Sequence, residues 1–229
     1  MGRPEPGRTD GLEPDRLSES AARIDPLLDH IVYAAPDIDE LVALFRHRTG
    51  VDPPLGGRHV GRATRNYLAG LGSGAYLELI GPDDPATRAG VTAFGIDSLA
   101  APRIVGWVVR PADIEARVAA ARAAGYDPGE IGPLSRSTPD GTLLKWRMTM
   151  DAPDNRDGLV PRLIDWQESP HPAAADLPEL SLVALVGFHP EPDVVRTDLS
   201  ALGVQLEVRQ GQPGFELVVD TPKGRITLS

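Results

Sequence analysis

The sequence predicts an α+β protein assembled from repeated βαβββ modules, and three observations lead there. The first is a recurring phrase, an apolar strand closed by proline, a short amphipathic helix and then glycine, found from His30 to Gly50, from Ile104 to Gly125 and from Val183 to Gly203. The second is its metre: Pro36 to Gly50, Pro111 to Gly125 and Pro190 to Gly203 span 14, 14 and 13 residues, and a kept period marks a duplicated supersecondary unit. The third is the change after each glycine from the helical period of about 3.6 to the period of two that belongs to strands.

In the first unit the strand His30–Pro36 leads to a helix whose Ile38, Leu41, Val42 and Phe45 fall at i, i+3, i+4 and i+7, one buried stripe. Strands over Asn66–Leu71 and Ala75–Ile80 follow, joined by Gly72-Ser73-Gly74. The second unit repeats this with Ile104–Pro111, a helical stripe of Ile114, Val118 and Ala121, then Leu143–Met150 behind the turn Thr138-Pro-Asp-Gly141, and Val160–Gln167. The third offers Val183–Pro190, a stripe of Val195, Leu199 and Leu202, and strands over Val204–Arg209, Phe215–Asp220 and Arg225–Leu228. Each proline suits a strand exit or helix start, and each glycine the left-handed position beyond a helix C-terminus. One curled sheet cannot cover both of its faces, so units must pair. The boundaries expected are a flexible tail over residues 1–26, modules over 27–100 and 101–172 that pair with each other, and a βαβββ-like add-on over 173–229 whose partner is open.

Composition narrows the chemistry. At 229 residues, with 41% apolar and 24% charged side chains, the chain can support its own core. With no cysteine, disulfides, thiolate metal sites and a thiol nucleophile are excluded, and any metal must use nitrogen and oxygen. A formal charge of −10 opposes binding to phosphate backbones and anionic bilayers. No apolar stretch approaches the roughly 18 residues of a membrane span, and Met1–Asp25 lacks the apolar run of a signal peptide, so a cytoplasmic location is expected. Gly70-Leu-Gly-Ser-Gly74 lies between strands and reads as a hairpin, and Asp151–Gly158 has Pro153 at a ligand position of a calcium loop. Nothing indicates a nucleotide or flavin cofactor.

Several short motifs occur together: Asp29-His30-Ile-Val-Tyr, Gly56-Gly-Arg-His59, Thr64-Arg-Asn66-Tyr-Leu, Tyr76-Leu-Glu78-Leu-Ile, and Pro161-Arg-Leu-Ile-Asp-Trp166 followed by His171-Pro172. In these the chain resembles the glyoxalase-like domain proteins of the vicinal oxygen chelate superfamily, over roughly Leu27 to Pro172. The resemblance implies paired modules forming a cupped sheet around a small-molecule cavity, in which metal-dependent members hold a divalent ion (Zn, Fe, Mn or Ni) on the first and last strands of each module. Members include isomerases, lyases and dioxygenases as well as proteins that only sequester a ligand, and fold alone does not choose among them.

His30 and Glu78 occupy the first-strand and last-strand ligand positions of that pattern. Facing side chains on neighbouring strands are close enough to share one ion. Glu78 is alternatively a general base if no ion binds. In the second module the matching places fall at Val105 and near Ile164, with Asp165 one residue off and so directed to the other face. His59, in a glycine-rich stretch expected to lean over the cup as a loop, either completes a two-histidine, one-carboxylate set or contacts substrate. Arg58, Arg65 and Asn66 are candidates for binding substrate oxygens, and Trp107 and Trp166 for an apolar wall. The expected partner is a small-molecule ligand, a homodimer being left open. The leading function is that of a glyoxalase-like protein acting on a small oxygen-rich metabolite; the alternative is a metal-free binding protein.

Overall fold

The computed structural model describes residues 24–229. Its first module contains β1 (Leu28–Ala34), α1 (Ile38–Thr49), β2 (Leu55–His59), β3 (Thr64–Gly72) and β4 (Ala75–Pro82). The second contains β5 (Arg103–Val109), α2 (Ile114–Ala123), β6 (Glu130–Ser137), β7 (Leu143–Met150) and β8 (Arg162–Asp165). The third unit contains β9 (Ser181–His189), α3 (Pro192–Leu202), β10 (Glu207–Gln210), β11 (Gly214–Thr221) and β12 (Gly224–Leu228). Helix starts and stops follow local chemistry. Asp37 caps α1 by accepting from the Asp39 and Glu40 amides, and Gly50 ends it at φ 77°. Asp113 caps α2, and Gly203 ends α3 at φ 69°.

The first eight strands close into a barrel in the order β1-β4-β3-β2-β6-β7-β8-β5, a closed form of the expected cup. Within each module the first strand lies parallel to the last. The two halves meet at antiparallel seams, β1 with β5 and β2 with β6. An eight-stranded barrel has an interior just wide enough to be filled by side chains or to hold one small ligand.

Alternation along the strands sorts the apolar residues into two cores. Val32, Ala34, Tyr76, Ile80, Val108, Trp146, Ile164 and Trp166 fill the interior. Ile31, Tyr33, Leu77 and Leu79 point outward, into a larger core shared with α1, α2 and the third unit.

The third unit repeats the order of elements but not their pairing. Its sheet runs β10-β9-β11-β12, so β9 pairs in parallel with β10, the next strand across α3, rather than with the last strand. Its apolar face, with Leu185, Val195, Leu199, Phe215 and Leu217, is buried against the outside of the barrel. Polar ties hold it there: Arg117 donates to the Leu202 and Gly203 carbonyls at 2.9 Å, and Lys223 Nζ to the His47 carbonyl at 2.6 Å. The missing partner of this unit is thus the barrel's own outer face.

The tail expected before residue 27 lies outside the described residues up to Arg23. Asp25, at its end, is buried; its Oδ1 accepts from the Leu27 amide and its Oδ2 from the Gln205 amide, at 2.8 and 2.7 Å. Among the described residues no helix is long and apolar enough to cross a membrane.

Candidate functional site

His30, His59 and Glu78 come together inside the barrel. His30 and Glu78 project inward from adjacent β1 and β4, where Val32 pairs with Glu78 and His30 with Tyr76. His59 belongs to β2, not to a loop: Gly57 and Arg58 pair with β3, and His59 pairs with Arg136 of β6. The Glu78 carboxylate stands between the two imidazoles, with Oε2 3.8 Å from His30 Nε2 and Oε1 3.7 Å from His59 Nε2.

The far side of each imidazole is tied down. His30 Nδ1 lies 2.7 Å from Asp29 Oδ1. A carboxylate only accepts, so Nδ1 carries a proton and Nε2 is the nitrogen turned toward the cavity, with a free lone pair in the neutral tautomer. That consecutive residues meet in this way follows from a break in the β1–β5 ladder, where Leu28 pairs with Val109 and His30 with Val108, leaving Asp29 out of register. Asp29 is fully buried and also accepts from His171 Nε2 at 2.9 Å and Trp166 Nε1 at 3.1 Å. Burial alone would raise its carboxyl, but the hydrogen bonds from His171 and His30, with their charges, hold it well below the usual carboxylate range. His59 Nδ1 lies 2.9 Å from Thr64 Oγ1. Burial pushes its imidazole below the ordinary value; Glu78 opposes this, and the charges of Arg136, His30 and Arg62 reinforce it, which favours the neutral ring.

Glu78 is fixed from β3. Asn66 Nδ2 donates to its Oε1 at 2.5 Å, while Asn66 Oδ1 accepts from Arg136 Nη1 at 2.9 Å. The assignment of the amide follows from this network, since a carboxylate needs a donor and a guanidinium an acceptor. Gly56 makes room for the arrangement: a Cβ there would lie 2.1 Å from Arg136 Nη1 and 2.5 Å from Asn66 Oδ1. Trp146 and Trp166, with ring centres 5.1 Å apart, form the facing wall with Ile164 and Met148. The cavity they border is open to solvent on one side, and its inner space is about 70 Å³, room for a few waters or a small polar group.

Three expected binding residues lie elsewhere. Arg65 follows the outward parity of β3 and donates to Asp39 at 2.6 Å and to the Asp83 carbonyl at 2.7 Å. Arg58 is largely exposed and bonds Asp83 at 3.0 Å. Trp107 points into the outer core, its Nε1 donating to the Leu159 carbonyl at 2.9 Å. Asp165 also faces outward, to Arg147. Asn66 and Trp166 do line the cavity. Arg136 was missed, because β6 was missed; the inward alternation of Leu134 and Arg136 is its one signal in the sequence.

The donor set fits a divalent ion in kind, with two imidazoles whose second nitrogens are held and a carboxylate between them. Each gap is one that two ligands at about 2.1 Å could span around a shared ion. As the side chains stand, no group of three His, Asp or Glu among the described residues is drawn closely enough to enclose one.

Comparison with known proteins agrees with this architecture. A hypothetical protein from Staphylococcus aureus shares the fold at 16% identity, over 87% of this chain and 83% of its own, with a TM-score of 0.59. Methylmalonyl-CoA epimerases from Mycobacterium tuberculosis (20% identity, 69% of this chain and 97% of that one, TM-score 0.40) and Streptomyces coelicolor (18%, 63% and 97%, 0.40) overlap too loosely to support anything further. No curated protein matches the chain. Residues 28–203 match the profile of the glyoxalase-like domain family, and the chain belongs to that family.

Proposed function

We propose that this protein takes a small oxygen-rich metabolite into the barrel and acts on it as a lyase, isomerase or dioxygenase, with His30 Nε2, His59 Nε2 and Glu78 as the donor set for a divalent ion. The observation that carries this reading is the placement of one carboxylate between two cavity-facing imidazole nitrogens, at 3.7 and 3.8 Å. When bound, such an ion supplies Lewis-acid polarisation of substrate oxygens. The chain's own part is orientation and exclusion of water. Asp29 fixes the His30 ring, Asn66 and Arg136 fix the Glu78 carboxylate, and Trp146 and Trp166 wall off solvent on the facing side. Without an ion, Glu78 Oε2 is the acceptor best placed to take a proton from bound substrate, because Oε1 is already held by Asn66.

A second reading, sequestration of a ligand without chemistry, is favoured by the second half of the barrel, which offers Ile164 where the first offers Glu78. Equilibrium dialysis against Mn²⁺ and Zn²⁺ separates the two. One ion per chain, lost in His30→Ala and in Glu78→Gln while both variants keep the wild-type melting temperature within a few degrees, supports the metal site. Absence of saturable binding leaves the sequestering protein.

A further inference from the structure

The cavity has a charge opposite to that of the chain. The formal charge of the protein is −10, yet the cavity is lined by the guanidinium groups of Arg62, Arg136 and Arg162 against the single carboxylate of Glu78. Arg136 is accounted for by its bond to Asn66. Arg62 and Arg162 are not. Arg162 enters from the first residue of β8, on the same face as Ile164, and its guanidinium lies 4.7 Å from the centre of the Phe94 ring. Among the described residues it has no hydrogen-bond acceptor and no carboxylate within ion-pair distance; Asp151 acts on it only through its field. Arg62 lies in the turn between β2 and β3, and among the described residues its guanidinium bonds only the Met150 sulfur, at 3.4 Å, a weak acceptor. Elsewhere arginines are matched, as in Arg58 with Asp83, Arg147 with Asp165 and Arg225 with Asp220.

Arg162 is half-buried and Arg62 exposed, so both guanidinium groups are open to a ligand from solvent, and their planar forks suit an anion that offers two oxygens. Phe94 sits at the same place with a left-handed backbone, φ 55°, a conformation that disfavours a bulky side chain and here sets its ring under Arg162. Arg162 also borders a neighbouring cavity lined by Thr92, Ser98 and Asn155, which puts it at the margin of the barrel interior, where a ligand could reach it without displacing the core.

We infer that Arg62 and Arg162 form an anion subsite within the cavity, so that the metabolite taken by this protein carries a carboxylate or phosphate group in addition to the oxygens that meet His30, His59 and Glu78. This rests on the reading of the barrel interior as a small-molecule site, and its test is independent of any metal. The full chain, freed of metal by a chelator, is titrated by calorimetry with inorganic phosphate, with malonate and with neutral malonamide. Saturable binding of phosphate or malonate is expected, and whichever binds more tightly identifies the group. Arg162→Gln should weaken that binding about tenfold to a hundredfold, and Arg62→Gln should weaken it less, since Arg62 is more exposed. Glu78→Gln should leave anion binding intact or tighten it, and Arg162→Gln should leave Mn²⁺ uptake unchanged, which separates failure here from failure of the metal reading. Should Arg162→Gln fail to fold, Arg162→Lys, which keeps the charge and loses the fork, should give an intermediate affinity. Malonamide binding as tightly as malonate, an unchanged affinity in Arg162→Gln or Arg162→Lys, or no saturable binding of either anion at millimolar concentration would overturn the inference.

Discussion

The two halves of the barrel share one strand order and differ in what they turn inward. The first half contributes His30, His59, Asn66 and Glu78, all able to ligate or hydrogen-bond. The second contributes Trp146, Met148, Ile164 and Trp166, with Arg136 and Arg162 as its polar members. The pairing of first and last strands holds in both, so backbone topology does not set the chemistry. Side-chain parity does: on β4 Glu78 faces inward, whereas on β8 the inward place is taken by Ile164 and Asp165 is turned out to Arg147. The ligating donors thus stand on the first half's wall and the aromatic surface on the second's, while the positive charge is shared, Arg136 and Arg162 coming from the second half and Arg62 from the first.

Asp29 is where the halves are tied, since it bonds His30 from the first and Trp166 from the second, together with His171. Asp29→Ala should therefore have the largest effect, a loss of about 3 kcal/mol in urea denaturation, because two buried donors, His30 and Trp166, and the half-buried His171 lose their acceptor. The same carboxylate gives a pH dependence of defined sign. Its folded-state value lies below the ordinary 3.8, so the unfolded chain takes up the proton first. Its contribution is complete above that value and is lost as the pH falls below it, and the acid limb of a stability–pH curve should flatten in Asp29→Asn.

Gly56→Ala attacks the contact in which the second-half guanidinium of Arg136 reaches Asn66, the holder of Glu78. The added Cβ would displace Arg136 from Asn66; the expected cost is about 1–2 kcal/mol, with weaker uptake of ions or ligand at Glu78 seen by calorimetry. Asp165→Ala sharpens the comparison from the other side. Removing the half-exposed pair with Arg147 should cost within about 1 kcal/mol and leave cavity binding unchanged, although Asp165 is the second-half acid nearest in sequence to the place of Glu78. The smallest effect belongs to Ala63, which holds φ 54° beside the Thr64 that bonds His59. Ala63→Gly should raise stability by about 0.5 kcal/mol, the relief of a left-handed alanine less the added freedom of glycine in the unfolded chain.

The sequence carried much of this in its metre. The strand–proline–helix–glycine phrases correspond to β1–α1, β5–α2 and β9–α3, and the parity that turns Asp165 outward was readable one residue at a time. What it hid has a physical cause. β2 was hidden because Gly56 and Gly57 are required by the Arg136 guanidinium and the Ser137 carbonyl packed against them, which erases the apolar alternation of a strand. β6 was hidden by Gly132 and Pro133 within it, and Arg136 with it. Trp107 and Arg65 were assigned to the wrong face because much of this barrel is covered on both sides. Where the interior is filled and the exterior is packed under α1, α2 and the third unit, apolar residues alternate with apolar residues and the pattern no longer says which way is in. The different pairing of the third unit leaves no mark in its order of elements.

The most direct test of the division of labour between the halves is ¹⁵N NMR of the five histidines during titration of the full chain with Zn²⁺. Without metal, His30 should report its proton on Nδ1, as its bond to Asp29 requires. On adding metal, the Nε2 signals of His30 and His59 should shift together and saturate at one equivalent, while His47, His171 and His189 stay in place. A titration in which neither His30 nor His59 responds, or in which His171 responds in their stead, would contradict it.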